Sequence, residues 1–257
     1  MPRSLFRRVA LPALTAIALV LGAPAQQAQA LDLNAMSDAE RAAFRAEVRA
    51  YLMENPEVII EAVNALEARN QAAQAEAEKD VIAANAEAIF NDGRSWVGGN
   101  PQGDVTLVEF MDYRCGYCRK AAPEVEALLE TDGNIRLVLK EYPILGDDSV
   151  IMSRFAIATR LVAGDAAYKD VHDAMMALNG EVSPAVLTRL GDGLGLDSAT
   201  ILARMDAPEV TRELSENRAL AQMLGIGGTP TFVLEDEILR GYMPAADMAT
   251  LVATKRD

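Results

Sequence analysis

The stretch FMDYRCGYC, residues 110–118, contains both cysteines of the 257-residue chain, three positions apart. It continues an apolar, strand-like run at residues 105–111 and leads into a helical pattern at residues 119–130. A Cys-x-x-Cys pair between a strand and a helix is the typical setting of a redox site. Random placement would put two cysteines three apart about once in 130 trials, so chance explains the spacing poorly.

The two cysteines are expected to play different roles. At the start of the helix, Cys115 would face unpaired backbone amides and the positive end of the helix dipole, which favour its thiolate. Cys118 lies one turn further into the helix and is expected to be less exposed. We therefore predict that Cys115 is the nucleophile and that Cys118 resolves the mixed disulfide.

Two other interpretations of the pair stay open at this point. A tetrahedral metal site needs more ligands than two cysteines and the single histidine, His172, can supply, so no metal site is predicted, although Cu(I) accepts two thiolates. A purely structural disulfide would close too short a loop to stabilise the fold much. His172 itself is predicted to be a solvated or capped surface residue.

The segments after the cysteine pair predict an α/β domain over residues 96–257. A second strand is expected at residues 135–139, and further strands at residues 231–234 and 238–240, before a last helix near Pro244. Between them, helical patterns dominate residues 149–223, with breaks at positions 164, 180, 191–195 and 208. The domain is therefore expected to carry a helical insertion at about residues 145–225.

The first thirty residues have the features of a cleavable export signal. Three arginines lie within residues 1–8, an apolar run covers residues 9–22, and Ala-Gln-Ala occupies residues 28–30. The apolar run of roughly 14 residues is shorter than the ~18 that a membrane span needs. We predict a signal peptide at residues 1–30 and export of the remaining chain.

Residues 31–95 are predicted to form a helical stalk. Ser37 and Glu40 have the spacing of a capping box, and Asn55-Pro56 is expected to start a second helix. Along that helix a stripe recurs at alternating spacings of four and three, as in a coiled coil, and is expected to join copies of the chain. The alternative is that the helix lies on its own catalytic domain. The stripe consists of Ile59, Val63, Leu66, Asn70, Ala73 and Ala77.

The overall charge limits the classes of partner. Lys and Arg number 24 against 38 Asp and Glu, which gives a formal net charge of −14. Nucleic acid is excluded as a partner because this charge has the wrong sign for binding phosphates. With one histidine, Ser-His-Asp hydrolase chemistry would have to use His172.

Several of these features together resemble the DsbA-like branch of the thioredoxin superfamily, from about Asp104 to the C-terminus. They are the export signal, the strand Val108-Glu109-Phe110, the Cys-Gly-Tyr-Cys pair, the helical insertion and Gly-Thr-Pro at residues 228–230 before a closing hairpin. Within that branch, FMDYRCGYC and the helical extension with Glu-Asn-Pro-Glu at residues 54–57 are similar to the group of ScsC, the suppressor of copper sensitivity protein C.

The resemblance implies a thioredoxin fold and roles for further residues. Pro230 matches the cis-proline that faces the cysteine pair, and Thr229 before it would bond to a substrate strand through its backbone. Gly116 and Tyr117, between the cysteines, would also contact substrate. Glu109 matches a buried carboxylate that could relay a proton for the resolving cysteine; the alternative is a strand residue turned to solvent.

Taken together, the residues and the resemblance predict a periplasmic thiol–disulfide oxidoreductase or isomerase. The Gly-Tyr pair lacks the histidine of strongly oxidising relatives, which predicts a milder oxidant. No cofactor is expected beyond the redox-active Cys115–Cys118 disulfide. Expected partners are unfolded or misoxidised exported proteins, a membrane reductase or quinone-linked oxidase, and further copies of the chain. The alternatives are a monomeric DsbA-like oxidase and a Cu(I)-binding copper-tolerance protein.

Overall fold

The computed structural model of the chain describes residues 35–256, so the predicted export signal at residues 1–30 lies outside the described residues. Within this range, no helix is long and apolar enough to cross a membrane. The chain divides into two compact units between Ala62 and Val63, inside the second helix. This division lies N-terminal to the predicted start of the catalytic domain at residue 96.

The first unit contains helix α1 (Asp38–Glu54) and the start of helix α2 (Glu57–Ala84). The predicted capping box is confirmed: the Ser37 N–H donates to Glu40 Oε2 at 2.8 Å, and the Glu40 N–H donates to Ser37 Oγ. No residue of α1 is buried. Its large apolar side chains, Phe44, Val48, Tyr51 and Met53, are all exposed.

The stripe along α2 is also exposed. Ile59 is 50% exposed, and the five later stripe residues are exposed as well. Only the C-terminal end of α2 joins the core of the second unit, and it does so through Ile82, which is not a stripe residue. The stripe residues of the second unit, from Val63 to Ala77, are therefore not part of its apolar clusters.

The second unit is built on one sheet. Within the described residues it has five strands in the order β1-β3-β2-β4-β5. Strands β2 and β3 are parallel, with helix α4 (Gly116–Asp132) between them, and the other neighbours are antiparallel. The predicted thioredoxin fold is confirmed by this arrangement. The strands are β1 (Trp96–Gly99), β2 (Val105–Met111), β3 (Ile135–Glu141), β4 (Thr231–Leu234) and β5 (Glu237–Arg240).

Strand β1 was not expected, because Gly98-Gly99 in its second half has the composition of a loop. Both glycines are required by close contacts. A Cβ at Gly98 would overlap the Trp96 ring, and Gly99 has φ +63° and lies against the Ile135 carbonyl. Trp96 is fixed over Gly98 because its indole N–H donates to the Asp165 carbonyl at 3.0 Å. Glycine here permits close packing within a strand, and does not end it.

The helices cover both faces of the sheet. Of the predicted breaks in the helical insertion, those at positions 164, 180 and 208 are confirmed, and Gly164 has φ +88° inside α5 (Asp147–Ala177). The break predicted at residues 191–195 begins later, because α6 (Pro184–Gly193) continues through Gly193. The residues of the helical insertion form helices α5, α6, α7 and α8. The helices of the unit after α2 are α3 (Ala86–Phe90), α4 (Gly116–Asp132), α5 (Asp147–Ala177), α6 (Pro184–Gly193), α7 (Ser198–Arg204), α8 (Pro208–Met223) and α9 (Ala245–Thr254).

Alternate residues of the central strands contribute side chains to two separate apolar clusters, one on each face of the sheet. Leu107 and Leu137 belong to the larger cluster, which includes side chains of α4, α5 and α9. Val108 and Val138 belong to the smaller cluster, which includes side chains of α3 and α8. Glu109 lies on the same face of the sheet as Leu107, two residues further along β2.

Candidate active site

Both cysteines lie where strand β2 passes into helix α4. Cys115 is the N-cap residue of α4, with φ −76° and ψ 116°, and its N–H donates to the Asp112 carbonyl at 3.0 Å. Its side chain is 7% exposed, whereas Cys118, one turn further on, is fully buried. Both are free thiols. The first turn of α4 has no acidic residue, so no carboxylate there opposes a thiolate at the helix N-terminus.

The Asp112 carboxylate anchors the loop that leads to Cys115. Oδ1 accepts hydrogen bonds from the Arg114 N–H and the Ser149 hydroxyl, each at 2.7 Å. Oδ2 accepts from the backbone N–H groups of Ile144 and Leu145, at 2.8 and 3.1 Å. One buried side chain thus fixes the active-site loop to the start of the helical insertion.

The loop before β4 supplies the opposite wall of the site. The Thr229–Pro230 peptide bond is cis, as the resemblance implies. The Cys115 thiol donates to the Thr229 carbonyl, with Sγ and O 3.1 Å apart. Pro230 and Thr229 therefore face the cysteine pair across the end of the sheet.

Glu109 lies on strand β2 behind the cysteines. It is 4% exposed, which excludes the solvent-facing alternative, and Oε1 has no hydrogen-bond partner among the described residues. Burial raises the pKa of Glu109 to about 8. Burial, and secondarily the nearby Glu109 carboxylate, raises the pKa of Cys118 far above the ordinary thiol value. The Glu109 carboxylate therefore acts electrostatically on the thiol whose proton it is predicted to relay.

Gly116 and Tyr117 form the exposed rim of the site. Tyr117 is 64% exposed, and no atom lies within 4 Å of the position that a Cβ on Gly116 would take. A client chain can therefore approach Cys115 over these two residues without displacing other side chains.

The prediction for His172 is wrong. The residue is buried, and its Nδ1 lies 3.2 Å from the Tyr113 hydroxyl. Burial lowers the pKa of His172 to about 4, so it is neutral at physiological pH. Its helical spacing of four from Tyr168 and three from Met175, which are both buried, was the available signal.

Three more polar residues near the cysteines were not identified from the sequence. Asp112 and Tyr113 are buried in the active-site loop, and Glu141 is buried at the end of β3. Tyr113 donates to Glu141 at 2.8 Å, although the two are 28 positions apart in the chain. Within residues 35–256, no three His, Cys, Asp or Glu side chains are grouped so that they could hold a metal ion.

Comparison with known proteins identifies the family. A family model described as a DSBA-like thioredoxin domain matches residues 106–254. The chain belongs to this family. A second family model, described as the copper resistance protein ScsC N-terminal domain, matches residues 40–73. The predicted resemblance to DsbA-like and ScsC proteins is thus confirmed.

Solved structures of DsbA-like relatives cover most of the chain. A thioredoxin-like oxidoreductase from Silicibacter pomeroyi DSS-3 is 41% identical, with a TM-score of 0.63, over 66% of this chain and 96% of that one. BcfH from Salmonella enterica Typhimurium is 25% identical, with a TM-score of 0.69, over 85% of this chain and 97% of that one.

The curated relatives are longer proteins. A protein named Na(+)/H(+) antiporter NhaA 1, from Salinispora arenicola, is 32% identical over 140 residues, which is 54% of this chain. The match spans about a fifth (21%) of that relative's length.

Replacement of Glu109 by glutamine tests the burial of its carboxyl group. Between pH 4.5 and about 8, the folded protein keeps the Glu109 proton while the unfolded chain has lost it, so this residue makes the wild type less stable as pH rises through that window. Glu109→Gln removes the effect. In urea unfolding of the reduced protein, the stability of the variant relative to wild type should rise by about 3 kcal/mol from pH 5 to pH 8.

The control for this experiment is Glu67→Gln, on an exposed face of α2, which removes one carboxylate without changing a buried site. Its stability relative to wild type should stay constant with pH. Parallel pH profiles for Glu109→Gln and wild type would show that the carboxyl group is not protonated by burial.

Proposed function

We propose that this protein is a periplasmic thiol–disulfide oxidoreductase and isomerase that acts on exported proteins through Cys115-Gly116-Tyr117-Cys118. The observation that carries the proposal is the position of Cys115, at the N-terminus of α4 and 3.1 Å from the Thr229 carbonyl. In this proposal the Cys115–Cys118 pair carries the electrons, and the reaction needs no further cofactor. The predicted export signal supports the periplasmic location.

The exchange begins at Cys115. Its thiolate attacks one sulfur of a client disulfide, the S–S bond breaks, and the departing client thiolate takes a proton from water. In molecules whose Glu109 is ionised, Cys118 then gives its proton to that carboxylate and attacks Cys115 Sγ. The Cys115–Cys118 disulfide forms, and the second client thiolate leaves and takes a proton from water. The client gains two electrons and two protons, and the cysteine pair loses two electrons. Glu109 returns its proton to water.

The same steps in reverse oxidise a client dithiol. In isomerisation, a second client thiolate attacks the mixed disulfide in place of Cys118, so the client disulfide is rearranged without net electron transfer. A membrane partner, either a reductase or a quinone-linked oxidase, would restore the cysteine pair after each net transfer.

The cis-proline loop would hold the client during exchange. In the free protein the Thr229 carbonyl accepts the Cys115 S–H. A mixed disulfide has no proton on this sulfur, so the carbonyl becomes available to a backbone N–H of the client strand. Tyr117 and Gly116 offer exposed surface beside that strand.

The N-terminal helices are proposed to join copies of the chain. They expose two rows of large apolar side chains: one on α1, and the stripe on α2. Such rows favour helix–helix association because it removes them from water. An oligomer would place several cysteine pairs around one client and raise their effective concentration, which favours isomerisation. A monomeric oxidase would not require these exposed apolar rows on α1 and α2.

Copper binding is the second candidate function. It is favoured by the match of residues 40–73 to a copper resistance protein family and by two free thiols, which are soft ligands for Cu(I). Both thiols are buried, so a bound ion would have to displace the Cys115–Thr229 hydrogen bond.

Cys118→Ala should trap clients on Cys115. Without the resolving thiol, mixed disulfides persist, and nonreducing gels of cell extracts should show ladders of adducts that mass spectrometry identifies as exported proteins. Cys115→Ala is the matched control and should form none. If Cys118→Ala also forms no adducts and the wild-type protein is isolated with one copper ion per chain, the oxidoreductase proposal fails and copper binding replaces it.

Charged substitutions on the stripe should separate the copies of the chain. Light scattering of the wild type should give a mass that is a multiple of the chain mass, and Ile59→Glu/Val63→Glu/Leu66→Glu should give a monomer, because buried unpaired carboxylates cost several kcal/mol. Asn64→Glu/Ala65→Glu/Ala68→Glu adds the same charge elsewhere on the exposed part of the helix and should keep the wild-type mass. A monomeric wild type would remove the case for clustered active sites.

A further inference from the structure

Glu141 collects three hydroxyl donors in the interior. Its Oε1 accepts hydrogen bonds from Tyr113, at 2.8 Å, and from Tyr168, at 2.6 Å. Its Oε2 accepts from Ser153 at 2.7 Å. The Asn217 side chain donates to the Glu141 backbone carbonyl at 3.1 Å. All five residues are buried, and they come from the active-site loop, from β3, and from helices α5 and α8.

The Tyr113 hydroxyl fixes the direction of the bonds around it. Its single proton goes to Glu141, so it can only accept from His172 Nδ1, 3.2 Å away. The neutral imidazole therefore carries its proton on Nδ1. The rings of Tyr113 and Tyr168 also pack against His172, at centroid distances of 5.5 and 6.0 Å. Tyr113 is thus bound on one side by Glu141 and on the other by α5.

Tyr113 lies two residues before the reacting sulfur. Its own carbonyl accepts a hydrogen bond from Arg119 Nε at 2.8 Å, across the first turn of α4. Asp112 holds the same loop through its carboxylate, so the backbone that leads to Cys115 is fixed at two successive side chains. The benefit of a helix N-terminus to an anion falls off within one turn, so a small displacement of Cys115 weakens it.

We propose that Tyr113 and Glu141 are positioning residues for thiol–disulfide exchange, because their hydrogen bond holds the Cys115 loop against the end of β3, where Glu141 also binds Ser153 and Tyr168 of α5. The proposal rests on the proposed function and adds two residues to it. Neither side chain has a described contact with the cysteines, so they act through the backbone of the loop.

The chemistry of Glu141 favours a role beyond packing. A buried carboxylate that is paired with no cation is costly, and an apolar side chain in its place would avoid that cost. Burial raises the pKa of Glu141 to about 7, with Glu213 on α8 contributing in the same direction. Three hydroxyl donors offset part of this cost, and one of them comes from the loop that carries the nucleophile.

Two matched Tyr→Phe variants separate positioning from stability. Tyr113→Phe and Tyr168→Phe each remove one hydroxyl from the same Glu141 oxygen, but only Tyr113 belongs to the active-site loop. Both variants should stay folded, and Tyr113→Phe should lose more stability in urea because it also removes the acceptor of His172 Nδ1. With a small aromatic disulfide as substrate at pH 7, Tyr113→Phe should react about fivefold more slowly than wild type, and Tyr168→Phe should keep the wild-type rate.

A second pair of variants covers the case in which Tyr113→Phe fails to fold. Gln at position 141 can accept both tyrosine hydroxyls on its carbonyl oxygen and donate to Ser153 Oγ, whereas Met can do neither. Glu141→Gln should therefore recover most of the rate that Glu141→Met loses. Near-ultraviolet circular dichroism confirms that each compared variant is folded.

Three outcomes would overturn the inference: equal slowing of the two tyrosine variants, no slowing of either, or a Gln variant as slow as the Met variant. In each case a reactive wild type leaves the proposed function intact. If the wild type itself reacts no faster than a free thiol, the proposed function fails as well.

Discussion

The contact between Cys115 Sγ and the Thr229 carbonyl, 3.1 Å apart at the N-terminus of α4, is the feature on which the rest of the site depends. It exists because β2 and β4 are antiparallel neighbours, with Phe110 opposite Thr231. The chain leaves β2 towards the cysteines and enters β4 from the cis-proline loop, so both loops lie at the same end of the sheet. Helix α4 then begins directly after Cys115, which is its N-cap residue.

Two buried carboxylates on the same face of the sheet serve this arrangement in different ways. Glu109, on β2, has an oxygen without a described partner beside Cys118, so it is available for proton transfer. Glu141, on β3, has both oxygens occupied by hydroxyl donors, so it is suited to hold a loop. Burial raises the pKa of both. Their surroundings therefore decide which one exchanges protons and which one positions the backbone.

The sequence predicted what depends on local pattern. Residues 105–111 and 231–234 have strand-like apolar runs, and the structure places β2 and β4 at those bounds. The capping box at Ser37 and the breaks at positions 164, 180 and 208 of the helical insertion were also predictable, because each needs only neighbouring residues. The role of Pro230 came from a family resemblance, since composition alone does not favour a cis bond.

The features that were missed depend on residues far apart in the chain. Gly98 and Gly99 lie in a strand, and both are glycine because the Trp96 ring and the Ile135 carbonyl leave no room for a side chain. The spacing of His172 from Tyr168 and Met175 could have indicated that it is buried, but its partner Tyr113 is 59 positions away, so nothing near His172 in the sequence showed what it would bond. The role of a polar residue in the core depends on its hydrogen-bond partners, and only the folded chain brings those partners close to it.

The most direct test of whether the two sulfurs have different roles is alkylation of the reduced protein with iodoacetamide at neutral pH. Mass spectrometry of the peptide that carries both cysteines then shows which of them has reacted. Cys115 should be modified quickly, and Cys118 should stay unmodified until denaturant unfolds the chain. Equal modification of both cysteines in the folded protein, or faster modification of Cys118, would contradict a reactive nucleophile at Cys115 with a fully buried resolving partner at Cys118.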